Sequence, residues 1–545
     1  MKYISKVYVT LGFIIFFLLV LGDVAVSKNP LFGRIATVLW FVSFGYVTIF
    51  AIKCLIDIIT HLAGFKTVFT VLLLLIWFVI LAINISQTKN ISGETTQEIN
   101  CILNHLSTLA DWGYGKPCFL GCPSKQYLLM ALPTLLFGRS LISLNSGVAF
   151  IFLLGIIIFS GGLLRFFQYK RYGDFISAIL LGSIFHFYYV NHFLFYFEQS
   201  ILPFCFGLII TGFFLYYFTE KKALQLTLIG FLLLYLIFSY TPSLSLYFLA
   251  ICVLVYLLFD RKISKRQKLL LLLVIVLTLI SCYFSMKYRD DIKLVSLKDH
   301  NQTQIIDDLQ QTLGHLLSQN KGHPIVSPVY NFIFIAFIVI SSLFTFGWRY
   351  AFFSHWMIGV IILSVISKGY AYYGIDFRLH RASVIIPVFL AMLAFLSKRF
   401  YLEDKGKYLF GILIVILFTG VYFQKTILDT KDPNKHYLFI DWISKNQMFV
   451  REVKQKKNLF FFSDAFRDYI SINDELQYFI PQLTKSQYSP KDCRIDAETR
   501  GIFVIKMDDP CFLSLTNSGL VNYSIYRYKD DSLVVFEAVL KRSSK

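Results

Sequence analysis

The sequence predicts a polytopic α-helical membrane protein of about 13 transmembrane helices with a small C-terminal extracytoplasmic α/β domain. Three observations predict it. Apolar residues make up 56% of the 545 positions and charged residues 16%, against roughly a quarter charged in soluble domains, and the mean hydropathy is +0.63. Apolar runs of spanning length recur as far as residue 425, separated by loops of alternating basic content. From residue 427 the composition turns abruptly to that of a soluble domain.

A hydrocarbon core about 30 Å thick takes about 20 apolar residues in a helix, because lipid offers the backbone no hydrogen-bond partners. Runs that meet this need lie at 5–22, 35–53, 67–86, 141–164, 174–190, 200–218, 223–240, 243–259, 268–286, 329–347, 351–367, 382–396 and 408–425. The first follows Lys6 as a signal peptide would, but a second run begins about a dozen residues later, so a membrane anchor is expected. The 57 Phe and 33 Tyr suit lipid-facing and interfacial positions.

The net charge of +19 does not point to nucleic acid, because much of it sits in short loops between apolar runs. These carry Lys53 and Lys66; Arg165, Lys170 and Arg171; Lys221 and Lys222; Arg261, Lys262, Lys265, Arg266 and Lys268; Arg349; and Lys398, Arg399, Lys405 and Lys407. By the positive-inside rule these loops and the N-terminus (Lys2, Lys6) are cytoplasmic, and an odd number of spans leaves the C-terminus outside. Segments 87–140, 191–199, 287–328 and 368–381 then share the outer face. The expected organisation is two N-terminal helices in 1–66, a transmembrane catalytic module in 67–426, and an extracytoplasmic α/β domain in 427–545. In the last, 437–457 and 473–480 read as helices, and 458–462, 501–506 and 533–540 as strands.

Of nine cysteines, Cys54, Cys205, Cys252 and Cys282 fall in or near spans and read as small buried apolar residues. Cys493 and Cys511 form the best pair for a disulfide in an oxidising compartment; among Cys101, Cys118 and Cys122 one bridge would leave a free thiol. No His or Cys spacing matches a zinc site, no cofactor is specified, and a role for a divalent metal stays open.

Ionisable residues with chemistry to offer cluster in the outer segments. Glu94, Glu98 and Asp111 lie in 87–140, the first long polar interruption of the chain, with Glu94 and Glu98 one helical turn apart. Glu198 closes an aromatic stretch just before the span at 200–218. Arg378, His380 and Arg381 stand together before the span at 382–396, against the positive-inside trend, which favours an anionic partner such as a lipid phosphate. The segment 287–328 is polar and carries no specific signal.

The order of these features resembles the first outer loop of GT-C-type membrane glycosyltransferases, the group of protein mannosyltransferases and aminoarabinose transferases. The resemblance runs through Gly93-Glu94, Tyr114-Gly115-Lys116-Pro117, Pro123-Ser124-Lys125-Gln126-Tyr127 and Phe137-Gly138-Arg139-Ser140, with a short apolar helix expected over 126–137. Glu198 resembles the family's second acidic position, and Arg381 with Pro387 its late Arg-Pro span. Where the family has Asp-Glu this chain has Gly93-Glu94, so the catalytic carboxylate is Glu94, or Glu98 or Asp111 in its place.

The resemblance implies an inverting transfer of a sugar from a polyprenyl-phosphate or diphosphate donor to a lipid, glycan or protein acceptor at the outer face. Glu94 would be the general base, and Arg378, His380 and Arg381 would bind the donor phosphate. A nucleotide-sugar donor finds no Rossmann glycine fingerprint here. It also implies an integral protein of a bacterial inner membrane, N-terminus cytoplasmic and C-terminal domain periplasmic. The competing functions are a cell-envelope polysaccharide polymerase or ligase, and a lipid or solute transporter or flippase. A transporter should show paired half-repeats and ionisable groups near the bilayer midplane, and the sequence shows neither.

Overall fold

Seven helices stand out among the described residues of the computed structural model: α1 Pro30–Leu62, α2 Val68–Gln87, α3 Lys125–Phe137, α4 Leu141–Phe166, α5 Arg171–Ser183, α6 Leu202–Thr219 and α7 Ile385–Leu402. A 3-10 turn, Ile184–His186, extends α5. Five strands follow: β1 Asn458–Phe461, β2 Thr484–Tyr488, β3 Ile502–Lys506, β4 Val521–Tyr528 and β5 Asp531–Ala538. Besides these elements and the residues joining α1 to α2 and α3 to α5, the description covers residue 201 and short pieces at 96, 99–100, 103, 258, 264–266, 268–269, 272–273, 276, 510 and 512–513. The spans at 5–22, 223–240, 329–347, 351–367 and 408–425 and the helices at 437–457 and 473–480 lie outside the described residues, as do 243–259 except Leu258 and 268–286 except its helical residues at 268–269, 272–273 and 276.

Helix α4 is the centre of the bundle and is buried along most of its length. Its sequence explains why. Gly155, Gly161 and Gly162 carry no side chain toward their neighbours, so α1 and α6 approach it closely: Cys54 lies beside Gly161, and the backbone of Gly212 lies against Gly162. Lipid gives apolar side chains no incentive to segregate, so such small-residue contacts let dispersion and close packing hold spans together. Aromatic rings fill the space on either side, with Phe50 and Phe213 at 4.3 Å and Phe166 and Phe395 at 4.6 Å between centroids. Helix α2 is peripheral, and exposes Phe69, Leu72, Leu75, Ile76, Phe78, Val79 and Ile83. Val68–Ser86 and Leu141–Phe166 are both long and apolar enough to cross a membrane.

The directions of the helices follow from these contacts. Helix α1 runs with α4, since Phe44 meets Phe150, Cys54 meets Gly161, and Ile58 packs with Leu164. Helix α6 also runs with α4, from Cys205 beside Gly155 to Gly212 beside Gly162. The buried stretch of α7 arrives at the same end, where Phe395 meets Phe166. Helices α2 and α5 run the opposite way: Phe69 and Thr70 sit at Asp174, near the end of α4, while Trp77 reaches back to Phe152 and Leu181.

Helix α1 exceeds the expected span at 35–53 by nine residues at its C-terminal end. Lys53, Asp57 and His61 end the apolar run in the sequence, yet the helix continues because each polar group has company. Tyr216 donates its hydroxyl proton to Asp57 Oδ2 at 2.9 Å, and Lys53 and Arg165 approach the same ring within 5.7 and 5.5 Å. His61 Nδ1 lies 2.7 Å from the Asp57 carbonyl, and its ring stacks on Tyr169 at 3.7 Å. Cys54 and Cys205 are buried free thiols, as expected of small apolar residues.

Asp174, in the first turn of α5 and 1% exposed, accepts hydrogen bonds from the backbone N–H groups of Phe69 (2.9 Å) and Thr70 (2.9 Å). One carboxylate thus caps α2 across 104 residues or more, satisfying donors that the first turn of any helix leaves open. Asp174→Asn keeps the shape but replaces one acceptor oxygen by a donor facing an N–H. It should lower stability by about 1–3 kcal/mol, measured as the thermal unfolding midpoint in nanodiscs. An unchanged midpoint would show that the cap is dispensable.

The strands form one mixed sheet in the order β2-β1-β3-β5-β4. β1 pairs in parallel with β2 and β3, while β3–β5 and β4–β5 are antiparallel. Tyr528 pairs with Asp531, leaving a two-residue hairpin connection. The expected strands at 458–462, 501–506 and 533–540 correspond to β1, β3 and β5 within two residues at each end. β2 (TKSQY) was not anticipated; it lacks apolar alternation, which suits the sheet edge where it lies.

Candidate functional site

The helix directions point one set of chain ends the same way. Helix α2 finishes at Gln87, α4 starts after Ser140, α5 and its 3-10 turn finish at His186, and α6 and α7 start at Leu202 and Ile385; each of these ends points away from the end that holds Arg165. These ends flank the segments 87–140, 191–199 and 368–381. Glu94, Glu98, Asp111, Glu198, Arg378, His380 and Arg381 themselves lie outside the described residues, as do Cys101, Cys118, Cys122, Cys493 and Cys511.

The corner between α3 and α4 is the part of this end with described side chains. Helix α3 occupies the position expected of the short apolar helix at 126–137, with Pro133 inside it. It folds back along α4 so closely that a Cβ on Gly147 would strike the Met130 backbone, at 2.6 Å from Cα. Gly138 ends α3 with φ +85°, a left-handed conformation that favours glycine, and its N–H donates to the Thr134 carbonyl at 3.0 Å. Ser140 then caps α4: its Oγ accepts from the Ser143 N–H at 3.1 Å and lies 2.9 Å from Ser143 Oγ. The Phe137-Gly138-Arg139-Ser140 motif is therefore a helix stop, a half-buried link and a helix start within four residues.

Between that stop and start, Arg139 reaches the acid-bearing loop. Its Nη1 donates to Asn100 Oδ1 at 3.0 Å. Thr96, Ile99, Asn100 and Leu103 are helical, the spacing of a single face, and the first three are buried. Thr134, Ser143 and Asn145 add buried polar groups near this corner. Neither Asn100 nor Arg139 was singled out in the sequence for this contact; a polar residue one turn from a buried Thr gives no cue to a partner 39 residues away.

The opposite end is basic. Lys53, Arg165 and Lys398 gather there, with Lys398 Nζ donating to the Phe166 carbonyl at 2.7 Å. In the turn after α4, Gln168 and Tyr169 both have positive φ (58° and 51°). Burial, and then the nearby Asp57 charge, push the Tyr169 hydroxyl up to about 12, so it stays protonated at neutral pH. Among the described residues no group of three or more His, Cys, Asp or Glu side chains is arranged to hold a metal ion.

No family model matches the chain. No curated protein matches it either. Among solved structures it is similar to ArnT from Cupriavidus metallidurans, in a crystal structure bound to undecaprenyl phosphate, with a TM-score of 0.49 and 13% identity over 88% of this chain and 98% of that one. The apo crystal structure of the same protein gives a TM-score of 0.47, with 13% identity over 88% of this chain and 98% of that one. ArnT is an aminoarabinose transferase, one of the GT-C glycosyltransferases that the loop motifs resemble.

Proposed function

We propose that this chain is an integral membrane glycosyltransferase that moves a sugar from a polyprenyl-phosphate donor to a lipid, glycan or protein acceptor. What supports this reading is the common direction of the helix ends: the described ends flanking the segments of Glu94, Glu198 and Arg381 all point away from the basic end. With the basic end cytoplasmic, the site opens to the outer face, and to the periplasm in a bacterial inner membrane. A donor drawn from the bilayer suits a site at the mouth of apolar helices.

The chemistry asked of the residues is a single displacement. A carboxylate, Glu94 first, takes the proton of the acceptor hydroxyl; the hydroxyl oxygen bonds to the anomeric carbon from the face opposite the phosphate. The bond from that carbon to the phosphate oxygen breaks, and the electron pair leaves with the polyprenyl phosphate. The configuration inverts, through a transition state with oxocarbenium character. Arg378, His380 and Arg381 balance the charge that grows on the leaving phosphate, where a charge-assisted fork is worth most. Glu198 is the second acid at this site.

The test uses full-length protein in nanodiscs with a radiolabelled undecaprenyl-phosphate-linked hexose and membrane extract as acceptor, reading released undecaprenyl phosphate. Arg381→Ala should raise the donor KM about 10- to 100-fold, the loss of one hydrogen-bonded charge. Release that is the same with and without the protein would overturn the function, and an unchanged KM would remove Arg381 from the phosphate site.

A further inference from the structure

We propose that Arg139 is a positioning residue for the acid-bearing loop, acting through its hydrogen bond to Asn100; this rests on the reading of that loop as the catalytic one. Arg139 is held by a rigid corner. Gly138 fixes the exit from α3, Ser140 fixes the entry to α4, and the two helices touch backbone to backbone at Met130 and Gly147. The corner therefore fixes where the Arg139 side chain starts, and its hydrogen bond ties the loop to that fixed point.

The receiving side is equally constrained. Asn100 is 3% exposed, and Thr96 and Ile99 are fully buried, so this helical piece is docked against the protein and not solvated. In the sequence Glu94 stands two residues before Thr96, and Glu98 two residues before Asn100. The Asn100–Arg139 bond at 3.0 Å joins that piece to the start of α4, the helix on which α1, α3 and α6 also pack. A general base misplaced by about 1 Å can cost a hundredfold in rate, so a fixed point two residues from one candidate acid and six from another has catalytic consequence. Asn presents one acceptor oxygen to a planar fork; a lysine at 139 offers a charge without that planarity.

A direct role is the alternative for an arginine at this end of the bundle: a contact to the donor phosphate itself. The two differ in kinetics. A phosphate contact shows in the donor KM, whereas a positioning residue shows in kcat with KM kept.

The experiment compares wild type, Arg139→Ala, Arg139→Lys, Asn100→Ala and the Arg139→Ala/Asn100→Ala double variant as full-length proteins in nanodiscs. Turnover of the undecaprenyl-phosphate-linked hexose is read beside hydrogen–deuterium exchange across residues 94–103. Each alanine variant should raise exchange there by about tenfold and lower kcat by about 10- to 100-fold, with donor KM within about twofold. The double variant should be no worse than the singles, and Arg139→Lys should recover part of kcat. Unchanged exchange in both single variants overturns the latch while leaving the proposed function standing. A tenfold higher KM with kcat intact overturns it in favour of a donor contact. Raised exchange with full kcat, together with full turnover in Glu94→Gln, Glu98→Gln and Asp111→Asn, overturns the catalytic reading of the loop and the positioning role with it.

Discussion

Glu94→Gln is expected to lower sugar transfer by about 10²–10⁴-fold, the usual contribution of a positioned general base. The substitution keeps the size and the hydrogen-bonding shape of the side chain and removes only its ability to take a proton. Thermal unfolding should therefore stay within about 0.5 kcal/mol of wild type, as for a substitution that disturbs no packing. Binding of undecaprenyl phosphate should also survive, since the proposed mechanism assigns the donor phosphate to the arginine cluster and not to the base. The family pattern places an aspartate where this chain has Gly93, so Glu98→Gln and Asp111→Asn belong in the same series. The variant that loses turnover while keeping donor binding identifies the base. Wild-type turnover in Glu94→Gln removes Glu94 from the mechanism.

Such a series is readable because the helices around the loop were largely legible in the sequence. The run expected at 67–86 is α2, Val68–Gln87, and the run at 141–164 is α4, Leu141–Phe166. Both are bounded by polar or turn residues that coincide with the structural ends: Ser140 before α4, and the Ala63–Lys66 turn region before α2. Charge bookkeeping also anticipated that the flanks of 87–140, 191–199 and 368–381 share one end, and the alternating directions of α2, α4, α5, α6 and α7 agree.

What was not legible is tertiary. The end of α1 was misjudged because Lys53 and Asp57 look like a stop until Tyr216, on a helix 159 residues from Asp57, supplies a hydroxyl. Asp174 reads in sequence as an ordinary first-turn acid, and only the packing of α5 beside α2 turns it into the cap of another helix. β2 lacks a period because an edge strand with polar residues needs none. The Arg139–Asn100 pair belongs with these: each partner is unremarkable alone, and the contact exists only once α3 has folded back along α4. Hydropathy and charge report the solvent each segment meets; they do not report which polar group a buried one finds.

Gly162→Leu is expected to cost about 3 kcal/mol or more, because the space it needs is occupied by backbone and not by side chains that can move. A Cβ at Gly162 would strike the Gly212 carbonyl oxygen and come within 2.9 Å of Gly212 Cα. From the other side, a Cβ at Gly212 would stand 2.7 Å from both the N and the Cα of Phe159. Helices α4 and α6 therefore touch main chain to main chain, and a leucine must push them apart. Separating them also disturbs the Asp57–Tyr216 hydrogen bond below the crossing and the start of α6 above it. Turnover should fall with stability for that reason, even though Gly162 is far from any candidate acid in the chain. The control is Gly45→Ala on α1, where nothing lies within 4 Å of the added Cβ. There a helical alanine should be neutral or stabilising by up to about 1 kcal/mol. Unfolding midpoints for the two variants in nanodiscs should thus move in opposite directions, or one should fall while the other holds. If Gly162→Leu unfolds with Gly45→Ala, α4 and α6 do not cross at backbone contact, and the common end inferred from their directions loses one of its supports.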